Sequence, residues 1–380
     1  MFNKLGNKTK NRKFGRLLGV GVPACIMLVA SGCGSTSSST TSQKSTSTTV
    51  TASSSSSSGM PDAAYFRGKT ITLIAPDAVG GDGDLAARLI APGLAKELGA
   101  TVNVTNMPGG GSVIGTNALY AANPNGLTIG IVHAGTDIVA EALHVATGVK
   151  FHLSKFSWIG NVTELPFVVM VQPNSPYKTF ADLVNAKTPI TDITSTTDTG
   201  LDVLIDSVFH IPVKLVSGFP SGTSEKAAFL AHTGVMWNSF LGLLRPVLAA
   251  GQAKALAISS EPTLPSLQKV VKGVPTFAQE VKALHLTLTS TQKAALQLGT
   301  SLPEFFGTMA APPGLSAGKL QTLRTAFDSA MKLASTKSLA AKSHEPLNFV
   351  SGANTLLDLK SDQQHSGVIA SLKSSGTSAG

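Results

Sequence analysis

"ITLIAPDAVGGDGDLAARLIAPGLAKELG" occupies residues 71–99 and predicts a strand, a glycine-rich loop and a helix in direct succession. The first six residues are mostly apolar, which is typical of a strand that is covered on both faces. From residue 84 onward apolar side chains recur with helical spacing, and Gly99 marks the end of the helix. The stretch therefore predicts the first strand, loop and helix of an α/β fold.

The residues that follow continue this alternation. A strand is predicted at 101–105, a helix opened by Ser112 at 112–122, and a further strand at 127–132 after an NPNG turn. Such a βαβαβ unit has right-handed crossovers and a parallel sheet. Ligands of these sheets bind outside the carboxyl ends of the strands, where two glycine-rich loops are predicted.

The two loops predict different chemistry. In the first, APDAVGGDGD (75–84), three glycines would let backbone amides approach an anion beside the helix N-terminus, with Asp84 as the N-cap. The second, NMPGGGSVIG (106–115), is a loosened dinucleotide fingerprint in which the glycines are spaced one residue too widely. For both loops the alternative is a tight turn that serves close packing.

The N-terminus predicts export. Residues 1–16 carry six basic and no acidic side chains, and 17–32 are almost wholly apolar but too short for a ~20-residue bilayer span. Small residues then precede Cys33, in a pattern that resembles a bacterial lipoprotein signal with Cys33 as the lipidated mature N-terminus. We therefore predict a signal peptide at 1–32 and a disordered Ser/Thr-rich tether at 33–64. The alternative is an ordinary secretory signal with an incidental cysteine.

Composition and motif spacing exclude several classes of function. The net charge is +9, but removal of the signal leaves 24 basic and 21 acidic residues, or +3. No basic stripe interleaved with aromatic residues is present, so nucleic acid is not a predicted partner. The eight histidines never adopt a metal-ligand spacing such as H-E-x-x-H, and no G-x-S-x-G motif occurs. We therefore expect no metal, no cofactor and no catalytic residue, and the chain is not expected to be an enzyme.

Three motifs stand in a fixed order along the first half of the chain. They are P-x-x-x-G-G-x-x-D-x-x-A-R at 76–88, N-x-P-G-x-G at 106–111 and P-x-G-x-T at 124–128. Their order resembles that of the solute receptors of tripartite tricarboxylate transporters, often called Bug-type receptors. The matching residues are Pro76, Gly80, Gly81, Asp84, Ala87, Arg88, Asn106, Pro108, Gly109, Gly111, Pro124, Gly126 and Thr128. The resemblance continues at 171–187, 251–259 and 274–280.

The resemblance implies an α/β fold with two lobes, a periplasmic-binding-protein-like clamshell of type II. Each lobe would be a mixed, mostly parallel sheet flanked by helices. Lobe one would comprise 65–165 and 262–380, and lobe two would comprise 166–261. The residues themselves predict a second α/β unit, with strands at 167–171, 189–193, 213–217, 234–238 and 253–259.

In this family a solute carboxylate is held between the lobes, mainly by backbone amides from one loop of each lobe. The resemblance implies that the first loop binds the ligand through Ala78, Val79, Gly80, Gly81, Asp82, Gly83 and Asp84. In lobe two it implies Ser195, Thr196, Thr197, Asp198 and Thr199. His133 directly follows the third strand and could reach the cleft, although a lone histidine is more often a structural hydrogen-bonding residue.

Six features depart from the family pattern: Asp77, Asp82, Ser195, Thr196, Asp198 and the stretch at 288–307, which is longer than is usual in the family. Near an anion site the three carboxylates would repel a di- or tricarboxylate. They therefore suggest a solute with an amino or other cationic group beside its carboxylate, or a neutral polar solute. The alternative is that these aspartates cap helices and face solvent.

Together these observations predict a membrane-anchored, extracytoplasmic solute receptor, a monomer that passes a carboxylate-bearing or amino-acid-like metabolite to membrane transporter subunits. It would lie on the outer face of the cell membrane, with the periplasm as the alternative location. Two other functions stay open. An extracellular NAD-dependent oxidoreductase would suit the sheet and the glycine loops, and a surface sensory or scaffold protein could use the same fold.

Overall fold

The computed structural model describes residues 59–143, 148–194, 199–216, 219, 222–231, 235–262, 264–360, 362 and 367. The predicted signal peptide, Cys33 and the tether up to residue 58 lie outside these ranges, as does the loop at 195–198. Among the helices within these ranges, none combines the length and the hydropathy needed to cross a bilayer.

The secondary structure alternates between strands and helices. The described strands are β1 (Thr70–Ala75), β2 (Thr101–Asn106), β3 (Thr128–Val132), β4 (Ser157–Thr163), β5 (Phe167–Val171), β6 (Ile190–Ile193), β7 (Val213–Val216), β8 (Val235–Phe240), β9 (Lys254–Ile258), β10 (Thr308–Ala311) and β11 (Leu347–Ser351). The described helices are α1 (Ala63–Phe66), α2 (Asp82–Leu98), α3 (Val113–Tyr120), α4 (Ala134–Leu143), α5 (Phe180–Val184), α6 (Thr199–Phe209), α7 (Gly222–Ala231), α8 (Leu241–Ala249), α9 (Pro265–Val270), α10 (Phe277–Ala283), α11 (Ser290–Ser301), α12 (Ala317–Lys332) and α13 (Ala334–Ser343). Short 3-10 turns lie at Leu153–Lys155 and Leu302–Phe305.

The first sheet has the strand order β11-β4-β10-β3-β1-β2. β1 pairs in parallel with both β2 and β3, so the predicted βαβαβ unit is confirmed. Each strand begins and ends within one residue of its predicted position. β10 and β11 pair antiparallel with their neighbours, which makes the sheet mixed. One apolar cluster joins this sheet to α2 and α12 and includes Leu73, Leu89 and Phe327.

The second sheet has the strand order β7-β6-β8-β5-β9. β6 is parallel to β7 and β8, whereas β5 is antiparallel to β8 and β9. All five strands predicted for this unit are present. Trp237 of β8 is fully buried against Phe229 of α7, which makes it a core residue. Two mixed sheets flanked by helices thus form the predicted α/β architecture.

The stretch at 288–307 forms α11 and a 3-10 turn that leads into β10 of the first sheet. α11 packs against α6, which belongs to the second α/β unit. Gln292 Nε2 donates to the carbonyl of Ser207 at 3.2 Å, and a methyl group built on Gly299 would lie 2.9 Å from Ile205 Cδ1. The stretch therefore connects the two units through contacts that the chain order alone does not reveal.

Candidate functional site

The first glycine-rich loop connects the carboxyl end of β1 to the N-terminus of α2. Gly80 has a φ of 84°, a left-handed conformation that costs glycine little. The N-cap of α2 is Gly81, with φ −75° and ψ 164° and no side-chain hydrogen bond to the helix. The prediction that Asp84 is the N-cap is therefore wrong, because the helix begins at Asp82 and Asp84 lies in its first turn.

Asp84 holds the loop in shape through both carboxylate oxygens. Gly80 N donates to its Oδ2 at 2.9 Å, and Asn106 Nδ2 donates to its Oδ1 at 2.8 Å. Arg88 contacts both oxygens at 2.9 Å, a bidentate ion pair along the helix. Burial alone would raise the pKa of Asp84, but the hydrogen bonds from Arg88, Gly80 and Asn106 hold it below its usual value. Asp84 is therefore ionised and bound within the protein.

His133, which follows β3, lies between two hydrogen-bond acceptors. Its Nδ1 is 2.9 Å from the carbonyl oxygen of Phe306, and its Nε2 is 2.9 Å from Asp77 Oδ2. Because an amide carbonyl and an ionised carboxylate can only accept, both ring nitrogens carry a hydrogen and the ring is an imidazolium. Burial alone would lower the pKa of His133, but the charge and hydrogen bond of Asp77 and the Phe306 carbonyl raise it to about 9.

Asp77 is the partner that balances this charge. Its Oδ2 also accepts the backbone N–H of Gly83 at 2.7 Å. Burial would raise the pKa of Asp77, but His133 and the Gly83 amide hold it below its usual value. Asp77 therefore does not face a solute as an isolated charge: it pairs with His133 and caps an amide in the first turn of α2, so the capping alternative is the nearer of the two roles that the sequence suggested.

The three loop glycines serve packing in this arrangement. The amide hydrogens of Gly80 and Gly83 bind Asp84 and Asp77, and Gly81 N donates to the carbonyl of Ala78 at 2.9 Å. A methyl group on Gly83 would collide with Asp77 Oδ2, and one on Gly81 would lie 2.8 Å from Asp77 Cβ. These hydrogen bonds occupy the three glycine amides within the loop itself. Ligand contacts at residues 78–84 stay a prediction.

The loop also reaches the second α/β unit. A methyl group built on Gly242, in the first turn of α8, would lie 2.6 Å from Asp82 Oδ1. Val79 lies near the middle of the loop and is 77% exposed. The loop therefore lies at the boundary between the two units, which is where the resemblance predicts the solute.

Two functional neighbours of His133 were missed by the sequence reasoning. The ring of Phe306 packs at a tilt against His133, with centroids 3.9 Å apart, and against Phe240, which precedes α8, with centroids 4.1 Å apart. Asp137 in α4 is buried and accepts hydrogen bonds from Ser112 and Thr116. Burial raises the pKa of Asp137 to about 7, although the His133 charge opposes the shift. Phe306 is 173 residues from His133, so no local pattern indicates their contact.

The second predicted loop is only partly described. Ser195, Thr196, Thr197 and Asp198 lie outside the described residues, and Thr199 is the first residue of α6. β6 ends at Ile193, so this loop follows the carboxyl end of a strand and precedes a helix N-terminus, as the first loop does. Binding of solute by its residues stays a prediction.

Four buried carboxyl groups lie behind this second loop: Asp192, Asp202, Asp206 and Glu225. Glu225 accepts a hydrogen bond from the indole N–H of Trp237 at 3.1 Å. Burial raises the pKa of Asp192 well above its usual value, and the neighbouring charges of Asp202, Asp206 and Glu225 add to the shift. Over the described parts of the chain, no group of three or more histidine, cysteine or acidic residues has metal-site geometry.

Two mixed α/β units, with the N-termini of helices α2 and α8 meeting at their boundary, define the fold of an extracytoplasmic solute-binding protein. The structure is similar to MatC from Rhodopseudomonas palustris with bound malate, at TM-score 0.61 and 22% identity, covering 80% of this chain and 98% of that chain. It is also similar to Rpa4515 of that organism with adipate, at TM-score 0.63 and 16% identity; the match covers 80% of this chain and 97% of that chain. These likenesses confirm the predicted two-lobed clamshell.

The chain belongs to the tripartite tricarboxylate transporter receptor family. Residues 86–368 match the family model described as "Tripartite tricarboxylate transporter family receptor". This match confirms the resemblance that the motifs indicated. A curated relative is the "UPF0065 protein in the TAR-I ttuE-ttuC' intergenic region" of Agrobacterium vitis. It is 37% identical over 114 residues, which are 30% of this chain and 32% of that protein. The match thus spans about a third of that relative's length.

Proposed function

We propose that the protein is a lipid-anchored receptor that captures a small carboxylate-bearing metabolite between its lobes and delivers it to a tripartite transporter. Family membership and the two-lobed fold support this proposal. The observation that carries it is the position of the first loop, from which Asp82 at the start of α2 reaches Gly242 of α8. A solute bound at this boundary between the units would be enclosed by both of them.

The site would act by electrostatics and closure. The N-terminal ends of α2 and α6 are positive poles, which favour a carboxylate. His133 stays charged at neutral pH because its pKa is raised to about 9, and its ion pair with Asp77 holds the first loop in place. Charge-assisted hydrogen bonds contribute about 1.5–3 kcal/mol each, and micromolar binding requires about 8 kcal/mol in total. We propose contacts from residues 78–84 of lobe one (65–165 and 262–380) and 195–199 of lobe two (166–261).

Close packing accounts for the last glycine of the second glycine-rich loop, so this residue is not evidence for the dinucleotide alternative. A methyl group on Gly115 would lie 2.9 Å from both the Met107 carbonyl oxygen and Pro76 Cα. This glycine therefore allows α3 to pack on the neighbouring loop, which accounts for its presence without a cofactor. A sensory or scaffold protein could use the same fold. Only the transport function requires membrane transporter subunits as partners, so the presence of such subunits distinguishes transport from the other two roles.

Titration calorimetry of the purified full-length protein tests solute capture. Malate, adipate, citrate, glutamate and arginine would be added in turn, with a neutral sugar as the control. We expect one-to-one binding of at least one carboxylate with a dissociation constant near the micromolar range. Binding of none of these compounds, or conversion of one into a product, would contradict the proposal.

The lipid anchor is tested at Cys33. We expect Cys33→Ala to move the protein from the membrane fraction to the soluble fraction, because a diacyl anchor is needed for stable attachment. A fatty-acid label should enter the wild type and not the variant, and Cys25→Ala serves as the matched control. If Cys33→Ala stays in the membrane fraction, the anchor lies elsewhere and the lipoprotein proposal is wrong.

A further inference from the structure

Three stretches of the family resemblance, 171–187, 251–259 and 274–280, have no role in the proposed solute site. They meet beside the second sheet at an open cavity of about 450 Å³. Its lining includes residues of all three stretches: Lys178, Phe180, Lys254, Leu256, Pro275 and Glu280. Because β9 forms one of its walls, this cavity is called the β9 groove.

The β9 groove extends away from the boundary between the two units. On β5, Phe167 pairs with Phe240, which precedes α8 at that boundary. At the other end of β5, Val171 pairs with Lys254. The strand between these two ends spans about 14 Å at the usual rise per residue. A ligand held by Lys254 would therefore occupy a site separate from the proposed solute site.

β9 presents an open edge to the groove. It is the last strand in its sheet and pairs with β5 on its inner side. On its outer side, the pairing found among the described residues is one bridge between Ile258 and Thr276. The outer edge of residues 254–257 therefore has backbone groups to which an additional extended strand can bind.

Three lysines give the rim of the groove a positive charge. Lys178 Nζ donates to the carbonyl of Pro173 at 3.0 Å, and Lys254 Nζ donates to the carbonyl of Lys178 at 2.6 Å. Because an ammonium group has three hydrogens, each of these lysines keeps two for a ligand. Lys272 also lines the groove, and its side chain is exposed, with no hydrogen bond or ion pair to any described residue.

Two acidic residues lie near these lysines. Asp182 accepts the N–H groups of Lys178 and Thr179 at 2.7 and 2.9 Å, so its carboxylate is bound at the start of α5. Glu280 is 8% exposed, and its carboxyl group has no partner in the part of the chain that the structure describes. Burial raises the pKa of Glu280, which favours the neutral form. A neutral carboxyl group can donate a hydrogen bond to an acceptor in the groove.

Charge complementarity favours an acidic occupant from another molecule. Lysine on an open edge hinders pairing with a neutral or basic strand, whereas it attracts a strand with carboxylates. The chain's own terminal segments do not supply such a strand, since residues 1–58 and 363–380 contain no aspartate or glutamate. A row of open backbone groups matches a peptide better than it matches a lipid headgroup.

We propose that the β9 groove binds an acidic, extended segment of a partner protein, which pairs with the outer edge of β9 and places its carboxylates against Lys178, Lys254 and Lys272. The partner is a membrane transporter subunit, and this assignment rests on the proposed function. The receptor would thus be held by its transporter at a surface that leaves the solute site open.

A labelled ten-residue peptide of alternating glutamate and threonine is the probe, because alternation puts its carboxylates on one face of a strand. Fluorescence anisotropy with the full-length protein at low ionic strength should give a dissociation constant of about 10–100 μM. The same peptide with glutamine for glutamate should bind at least about tenfold more weakly. Hydrogen exchange should slow at residues 254–257 when the acidic peptide is bound.

Variants locate the bound peptide. Lys254→Gln combined with Lys272→Gln should weaken binding by about tenfold, and Lys272→Gln alone, which breaks no described contact, by about threefold. Lys214→Gln is the matched control, because Lys214 is exposed on β7, the opposite edge strand of the same sheet. Glu280→Gln should bind the acidic peptide at least as tightly as the wild type does. All of these variants should keep the wild-type affinity for solute.

The outcomes separate this inference from the proposed function. If the acidic peptide does not bind, or if Lys214→Gln weakens binding as much as the double variant does, the inference is overturned while solute capture stands. If vesicles of phosphatidylglycerol bind with the same dependence on the lysines and the peptide does not, the groove contacts a membrane and the inference is wrong. If the peptide binds in the groove but no solute binds, the docking surface stands and the receptor function is contradicted.

Discussion

Replacement of His133 by alanine is expected to lower the free energy of unfolding by about 3 kcal/mol. The variant leaves the Asp77 carboxylate without its cation, and removal of one partner of a buried ion pair typically costs about 3–5 kcal/mol. The Asp77 side chain is 27% exposed, so water compensates part of the loss and the lower end of that range applies. The stacking of the imidazolium on Phe306 is lost as well.

The same ion pair predicts a dependence of stability on pH. The pKa of His133 is about 9 in the folded protein and 6.5 without the fold, so the folded state binds the proton more tightly. The stabilisation is therefore complete below pH 6.5 and is lost as the pH rises through about 9. A shift of this size corresponds to about 3 kcal/mol, in agreement with the cost expected for the alanine variant.

Urea unfolding followed by near-ultraviolet circular dichroism at pH 6, 8 and 10 would measure both effects. His152→Ala is the matched control, because His152 is 67% exposed and contacts Glu141 at 3.1 Å on the surface, where such pairs contribute less than about 1 kcal/mol. Adding Asp77→Asn to His133→Ala should recover part of the loss, since no charge is then left unpaired. If His133→Ala and His152→Ala lowered the free energy of unfolding equally, or if the wild type were equally stable at pH 6 and 10, the ion pair between His133 and Asp77 would be unimportant for stability.

The fold was largely predictable because its strands and helices are local patterns. The unit from β1 to β3 follows from an apolar run, a helical repeat and glycine stops, all within residues 70–132, and the predicted ends of its strands are correct within one residue. The antiparallel strands β10 and β11 were not predicted. Their position depends on pairing with β3 and β4, whose residues are more than a hundred positions away, and no local pattern encodes such pairing.

The position of the candidate site in the fold was predictable, but the contacts among its residues were not. The order strand, glycine loop, helix places Ala78 to Asp84 at the carboxyl edge of the sheet, where they are found. The contacts that give these residues their roles join His133 to Asp77, 56 positions apart, and Asn106 to Asp84, 22 positions apart. Whether an aspartate faces a solute, caps a helix or pairs with a histidine depends on such contacts, so the sequence suggested the first two roles and did not indicate the third.

Asp202 and Asp206 of α6 are a second case in which the sequence alone does not indicate the surroundings of an aspartate. Two acids four positions apart on a helix usually indicate a solvated face, since they would lie side by side in water. In the structure they are buried with Asp192 and Glu225 behind the second loop. Burial raises the pKa of Asp206 well above its usual value, and the charge of Asp202 adds to the shift. The folded protein therefore holds a proton on Asp206 that the unfolded chain would release.

We expect Asp206→Asn to stabilise the protein at pH 8 by about 1–3 kcal/mol, the usual cost of an uncompensated buried polar group, and to have little effect at pH 4. The sign follows from the raised pKa. Because the folded state binds this proton more tightly than the unfolded state does, the contribution of Asp206 to stability is largest below pH 3.8 and is lost as the pH rises through the folded pKa. Asparagine cannot ionise and so does not suffer this loss.

Thermal unfolding of the wild type and of Asp206→Asn between pH 4 and 8 would measure this difference. Asp182→Asn provides a control of opposite sign, because the N–H groups of Lys178 and Thr179 lower the pKa of Asp182 at the start of α5. That variant should be less stable than the wild type, and by more at pH 8 than at pH 4, because it lacks the ionised cap. If Asp206→Asn changes stability equally at pH 4 and 8, or destabilises at both, the carboxyl group of Asp206 does not gain a proton on folding and the buried acidic group is held by other contacts.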